Sequence, residues 1–430
     1  MALSCEQART YTDILIEELI PAMGCTEPIA IAYAASIISH ALGSYPTSLK
    51  VGLSGNIIKN VKSVVVPATG GMQGIDSAIC AGIISSCPQR RLEVLGGLVK
   101  DDVEKIKSYK EKTPIEIYEL ETENVFEILI SGTLNQSYAQ ARLAKRHTNV
   151  VSVIKDGADI TNCYASKEDM VEKESTDRSA LNVRDIVEYA ATVDLSVISP
   201  YLKRQIDFNM KIAAQGLSGD WGASIGKTLF SMANSDLRML ARAYAAAGSD
   251  ARMGGCELPV CIISGSGNQG ITASVPVVIY SQSLCCDEDT LLRALIVSDL
   301  ITIHLKTGIG CLSAYCGAIS AGCGCGCGIA YLKGGRFYEI AHTLVNSVAI
   351  LSGTICDGAK SSCAAKIAMA VEAGILGYEM MASGHQFYGG DGIVTKGVEN
   401  TIKNIGRLAK QGMSETDREI IKIMLGKKDD

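Results

Sequence analysis

Apolar positions recur every three to four residues over Glu6–Leu19 and Ile29–Leu42, which predicts two helices near the N-terminus. Between them stands the break Pro21-Ala-Met-Gly-Cys-Thr-Glu-Pro28. Pro28 suits a first-turn position, so the second helix should begin between Cys25 and Pro28. From Ser48 to about Ile160 the pattern shortens to strand-like segments rich in β-branched residues: Leu49–Leu53, Val61–Val66, Pro114–Leu120, Val125–Ile130 and Val150–Ile154. Ala68–Ser86, rich in Gly and Ala, reads as a loop leading into a helix. The charged stretch Ser166–Arg178 marks a domain boundary. Beyond Leu181 the helical period dominates, over Val183–Thr192, Pro200–Gln215, Leu229–Ala247, Asp289–Lys306, Leu312–Tyr331, Glu339–Leu351 and Ala359–Met381. The expected fold is α+β. Residues 1–175 would form an N-terminal domain of helices and a small sheet, and residues 176–430 a mostly α-helical domain.

Composition narrows the function. A chain of 430 residues can bury a large core, so its 16 cysteines are not needed as staples. They are unevenly spread, and no N-terminal stretch has the form of a secretion signal, which favours a reducing, cytoplasmic setting. A formal charge of −6 without a basic stripe argues against a nucleic-acid partner. Thr307–Leu332 carries no charge and is long enough to span a bilayer, but seven of its 26 residues are glycine. Its only large aliphatics are Ile309, Leu312, Ile319, Ile329 and Leu332, too few for a membrane helix, so a buried helix is expected there. The partner implied is a small molecule.

Seven cysteines fall between 311 and 363: Cys311, Cys316, Cys323, Cys325, Cys327, Cys356 and Cys363. In the Gly-Cys alternation at 322–328, side chains two apart on a helix point about 200° apart and cannot converge on one centre. Close helix packing, permitted by the glycines, is the better reading there. Cys356 and Cys363 differ. Seven residues of continuous helix would hold them ~10.5 Å apart along the axis. For both to reach one centre, Cys356 must lie in a turn before the helix that carries Cys363, where the helix dipole favours a thiolate. There is no C-x-x-C pair, no H-x-x-x-H and no H-E-x-x-H, so zinc-ribbon, thioredoxin and zinc-hydrolase readings are all weakened.

Five stretches together resemble the L-cysteine desulfidase family, which is related to the α-chain of iron–sulfur L-serine dehydratases. They are Gly24-Cys-Thr-Glu-Pro28, Ser54-Gly-Asn-Ile-Ile-Lys-Asn60, Ser264-Gly-Ser-Gly-Asn-Gln-Gly270, Cys356-Asp-Gly-Ala-Lys-Ser-Ser-Cys363 and Phe387-Tyr-Gly-Gly-Asp-Gly-Ile393. The resemblance runs from about residue 15 to 410. It implies a [4Fe–4S] cluster held by Cys356, Cys363 and a third cysteine upstream, best matched by Cys316 with Cys311 as the fallback. The fourth iron stays open, a Lewis acid that a bound amino acid could chelate while its α-proton becomes more acidic.

Cys25, at the start of a helix where a thiol's pKa is lowered, is the candidate base. Candidate substrate-binding residues are Asn56, Lys59, Asn60, Thr69, Ser264, Asn268 and Gln269, with Ser264–Gly270 suited to an anion nest. The implied reaction is α,β-elimination of L-cysteine to pyruvate, ammonia and hydrogen sulfide, in a homo-oligomer. L-serine is the alternative substrate. The seven-residue spacing of Cys356 and Cys363 is shorter than in the related serine dehydratases, which leans toward cysteine. His304 with Lys306, and the glycine-rich loop of His385 and Asp391, could also face the site. Two rivals remain: a pyridoxal-phosphate lyase with Lys227 as the Schiff-base lysine, and a non-catalytic thiol or metal scaffold.

Overall fold

Ser4 opens the first helix, α1 (Cys5–Glu18), with a reciprocal cap: its hydroxyl accepts the Gln7 N–H while the Gln7 side chain accepts the Ser4 N–H. The computed structural model describes residues 3–165, 176–310 and 313–425. Its architecture is α+β. Tyr11, Ile14 and Leu15 of α1 pack into the core of the C-terminal helices, not that of the sheet. Strand β1 (Pro21–Met23) then pairs antiparallel with β8 (Pro259–Cys261). The chain thus begins inside the helical half and crosses to the other at the Gly24–Cys25 break.

Helix α2 (Thr26–Leu42) is buried on nearly every side, and Gly43, at φ 76°, ends it in the left-handed conformation that glycine tolerates. It lies against a six-stranded sheet of β2 (Ser48–Leu53), β3 (Ile115–Glu119), β4 (Glu127–Leu134), β5 (Ser137–Ala144), β6 (Val150–Lys155) and β7 (Ala158–Asp159). The strand order is β3-β2-β4-β5-β6-β7, with only β2 and β3 parallel. A parallel pair needs a crossover. Here it holds α3 (Gly55–Val61), α4 (Gly74–Ser85) and α5 (Lys100–Lys112).

One expectation fails in this half, and two of its elements carry no clear signal in the sequence. Val61–Val66 is not a strand: α3 ends at Val61, and only Val65 forms an isolated bridge, to Gln73. Strand β5 has no clear signal in the sequence because its inward positions, Ala139, Ala141 and Leu143, include two alanines too small to give a strong alternation. Helix α5 is charged along most of its length and fully buries only Ile106.

The helical half comprises α6 (Val183–Thr192), α7 (Leu195–Ser218), α8 (Ile225–Met232), α9 (Leu237–Met253), α10 (Gly267–Ser283), α11 (Glu288–Ile309), α12 (Gly317–Leu332), α13 (Phe337–Leu351), α14 (Cys363–Ala382), α15 (Val398–Arg407) and α16 (Ser414–Leu425). α7 begins before Pro200, capped by Asp194. The Ser196 carbonyl, which Pro200 cannot satisfy, lies on an exposed residue at the protein surface. The expected Leu229–Ala247 helix is two helices, broken where Asn234 and Ser235 both take positive φ. α10 starts inside the Ser-Gly-Asn-rich motif that reads locally as a turn; its burial on nearly all sides outweighs the weak helix propensity. The expected boundary stretch, Ser166–Arg178, falls largely outside the described residues.

The Gly-Cys run occupies the centre of α12. A Cβ at Gly322 or Gly326 would meet the Ala370 or Gly374 carbonyl of α14, and one at Gly324 would meet the Ser298 carbonyl of α11. Successive glycines therefore seat two different neighbours, while Cys323, Cys325 and Cys327 fill the buried space between them. Among the described residues no helix is long and apolar enough to cross a membrane.

Candidate functional site

Where the two halves meet, a cavity of about 120 Å³ is lined from both sides. The helical half supplies Cys316, the residue before α12. Tyr315 and Ile355 form an isolated antiparallel bridge, the Cys316 N–H donates to the Thr354 carbonyl at 3.0 Å, and the Cys356 N–H donates to the Ala314 carbonyl at 2.6 Å. This short ladder sets the Cys316 and Cys356 thiols side by side. Cys356 lies ahead of α14, in the non-helical segment that spacing demanded, and Cys363 is the first residue of that helix. Gly358 between them takes φ 93°, and a Cβ there would strike the Lys59 carbonyl, so the loop closes tightly over α3.

The three thiols line one cavity with four cationic side chains, Lys59, Arg252, Lys306 and Lys366, and one carboxylate, Glu27. The Cys316 S–H, hydrogen-bonded to Cys356, lowers the Cys356 thiol well below its ordinary value; burial opposes this, and the Lys59 and Lys306 ammoniums and the Gly358 N–H support it. Cys316 is pushed up in return. Burial raises Cys363. Asp357 sits beside this loop: burial would raise its carboxyl, but bonds from Lys360 and Lys366 hold it down at about 2.

Cys25, 4% exposed, precedes α2 and lines the same cavity. Its thiol donates to Glu27 Oε2 at 3.2 Å; Glu27 also accepts from the Thr26 hydroxyl at 3.1 Å and from Asn60 Nδ2 at 3.3 Å. The expectation that the helix terminus lowers this thiol's pKa is overturned. Burial, then the Glu27 carboxylate, pushes it up, and Arg252 opposes this only in part. Arg252 Nε donates to the Gly24 carbonyl at 3.1 Å, tying the last turn of α9 to the break before α2.

Asn60, Lys59, Ser264, Asn268 and Gln269 all reach the cavity wall. Lys59 is 2% exposed and ion-paired with Asp417 of α16. Asn268 and Gln269 begin α10, and the Oδ1 and Oε1 atoms of their amides are buried without a hydrogen-bond partner among the described residues. Ser264–Gly270 is only partly a nest: the Ser264 N–H is taken by Glu18 at 2.7 Å, and from Gly267 onward the segment is helix.

Asn56 and Thr69 are not among the cavity-lining residues. Asn56 leaves its Oδ1 buried without a partner among the described residues, whereas Thr69 donates its hydroxyl to the Val66 carbonyl at 2.7 Å and holds a turn. Cys311 lies outside the described residues. His304 turns away, its Nε2 2.8 Å from Glu399, while Lys306, two residues on, faces in. Asp391 accepts the Tyr388 N–H within its own loop, and neither it nor His385 lines the cavity. Lys227 pairs with Asp220 at the surface, away from these residues.

Glu27, Arg252 and Lys366 line the cavity too, and sequence reasoning missed them. Glu27 lies within the Gly24–Pro28 motif, and Arg252 and Lys366 are charges set among alanines in their helices, a placement compatible with a buried polar site. A second cavity of about 760 Å³ shares Glu27, Ser264, Gly265 and Lys306 with the first, and it adds Phe126 and His147 from the sheet half. It is an approach to the inner one.

Among the described residues no three His, Cys, Asp or Glu side chains converge as a site for one metal ion. A cubane makes a different demand: it takes one thiolate on each iron it anchors, so it needs three thiols lining one space and not three ligands on one ion. Cys316, Cys356 and Cys363 around one cation-lined cavity fit that donor set.

Residues 89–422 match the family described as serine dehydratase alpha chain. A UPF0597 protein of Desulfitobacterium hafniense is 52% identical over 417 residues, covering 97% of this chain and 96% of its own. UPF0597 proteins of Lachnoclostridium phytofermentans and Treponema denticola are 45% and 43% identical, over 96% and 99% of this chain and 98% and 100% of theirs. With the match extending across α12, α14 and Cys316, Cys356 and Cys363, the chain belongs to the serine dehydratase alpha chain family.

Proposed function

We propose that this protein is an iron–sulfur lyase that removes the β-substituent of a small L-amino acid, with L-cysteine as substrate, giving pyruvate, ammonia and hydrogen sulfide. The observation that carries the reading is one cavity holding Cys316, Cys356 and Cys363 together with Cys25 and the unpartnered amide oxygens of Asn268 and Gln269. A [4Fe–4S] cluster on the three thiolates would supply a Lewis-acidic iron with an open position.

The remaining work falls to the chain. Arg252 and Lys306 offer positive charge to the substrate carboxylate, and the Asn268 and Gln269 amide oxygens accept from its ammonium. The Cys25 thiol is protonated at rest, so Glu27 must first take its proton across the 3.2 Å hydrogen bond. The thiolate so formed removes the α-proton. The Cα–H electron pair becomes the Cα–Cβ double bond as sulfide leaves with its own pair, giving aminoacrylate, which tautomerises to an imine that water hydrolyses. Burial of Cys25 keeps bulk water from quenching this exchange.

L-serine is the second reading, favoured by the match to a family described by serine dehydratase. It would lose hydroxide in place of sulfide. The test is anaerobic purification, iron and acid-labile sulfide analysis, and assay of both amino acids. About four irons per chain, as a cubane requires, with equal sulfide and pyruvate from L-cysteine, is the expected result. Pyruvate from L-serine alone would reassign the substrate. Stoichiometric pyridoxal phosphate without iron would reject the cluster chemistry.

A further inference from the structure

Lys59 stands apart from the other cations of the cavity. Its side chain is 1% exposed, and its carboxylate partner, Asp417, comes from a helix more than 350 residues later in the chain. α16 lies against α3, with Ile421 over Gly55, where a Cβ would meet the Ile421 side chain. On its other side the Lys59 carbonyl packs against Gly358, in the loop between Cys356 and Cys363. Helix α3 is therefore held between the terminal helix and the cysteine loop, and Lys59 lines the same cavity as Cys356. A buried ammonium without a counter-charge would leave its position or its charge. Asp417 is absent from the cavity wall, so it reaches the chemistry only through Lys59.

We propose that Asp417 is a positioning residue: from the terminal helix it fixes the Lys59 ammonium at the cysteine side of the cavity, so α16 is part of the machinery that sets substrate affinity. This rests on the reading of the cavity as the site of amino-acid elimination. Lys59 supplies positive charge to the anions gathered there, and Asp417 holds it in place without touching them.

The test uses the full-length chain and two independent readouts. Acetylation by acetic anhydride, followed by mass spectrometry, reports Lys59 exposure, with surface Lys227 as the internal reference. Wild-type Lys59 should be protected; D417N should raise its labelling about fivefold or more relative to Lys227, and D417E should restore protection, as expected when a buried ion pair is released and re-formed. In the anaerobically loaded protein, D417N and K59M should each raise KM for L-cysteine about tenfold with kcat within about threefold, and the double variant should be no worse than K59M. Iron content should be the same in all of these proteins.

Unchanged protection of Lys59 in D417N would overturn the proposal. So would KM effects that multiply in the double variant, because Asp417 would then act independently of Lys59. A wild-type protein that turns over neither L-cysteine nor L-serine would instead reject the functional reading, and the labelling result would still decide the positioning.

Discussion

Tyr315 and Ile355 face each other across a single antiparallel bridge, and the residue after each is a cavity cysteine, Cys316 and Cys356. Two short extended segments, rather than a helix or a compact sequence motif, thus bring together thiols 40 positions apart.

The cysteines of the bridge should differ sharply from those of the Gly-Cys run. Cys316→Ser, Cys356→Ser and Cys363→Ser are each expected to lose cluster iron while keeping the fold. Cys323→Ser and Cys325→Ser should keep iron but lose about 1–3 kcal/mol of stability, because each buries a hydroxyl in an apolar helix contact. Iron analysis beside urea unfolding of each variant separates the two classes.

Cys25 and Glu27 are argued to move a proton between them, so their loss should spare binding more than turnover. Cys25→Ala and Glu27→Gln should lower kcat about 10²–10⁴-fold, the usual range for a lost acid–base group, with iron content unchanged. An activity within a few-fold of wild type in Cys25→Ala would remove it as the base.

Asp299 of α11 is wholly buried, accepts from Gln205 Nε2 at 3.0 Å, and has its carboxyl pushed up by burial to about 7. In the unfolded chain it titrates near 3.8. Between those values the native state holds a proton that the unfolded state has released, so this group makes stability fall as pH rises, levelling off above about 7. Asp299→Asn should flatten that slope and be more stable than wild type at pH 8 by about 1–3 kcal/mol. Urea titrations at about pH 5 and about pH 8, on either side of the folded value, measure it; identical slopes in the two proteins would contradict it.

Gly324 admits no side chain between α12 and α11, because a Cβ would meet the Ser298 carbonyl and the Thr302 hydroxyl. Gly324→Ala should therefore cost about 1–3 kcal/mol despite the better helix propensity of alanine. An unfolding midpoint at or above that of wild type would show that the helices can separate at no cost.

Much of this was legible in the chain itself. The place of Cys356 ahead of its helix followed from the rise per residue once Cys356 and Cys363 were taken to share one centre, and the packing role of the Gly-Cys run from the angle between alternate side chains. What was not legible depended on tertiary context. α10 is made of residues that locally favour turns, and its burial on nearly all sides decides its state. The raised pKa of Cys25 was hidden because a helix terminus predicts the opposite sign, and only the degree of burial and the Glu27 contact reverse it. Asp417 could not be found from spacing, since nothing local ties residue 417 to residue 59.

The cavity draws on residue 25 near one end of the sequence and on residues 316 to 366 near the other, with α16 braced beneath it. During synthesis the chain emerges from its N-terminus, so Cys25 and Lys59 leave the ribosome long before any of the three cavity thiols. The sheet half can then collapse around its own core while α1 and β1 wait for β8 and the later helices. The iron–sulfur cluster proposed for these thiols would accordingly have to be delivered late, to an essentially finished chain.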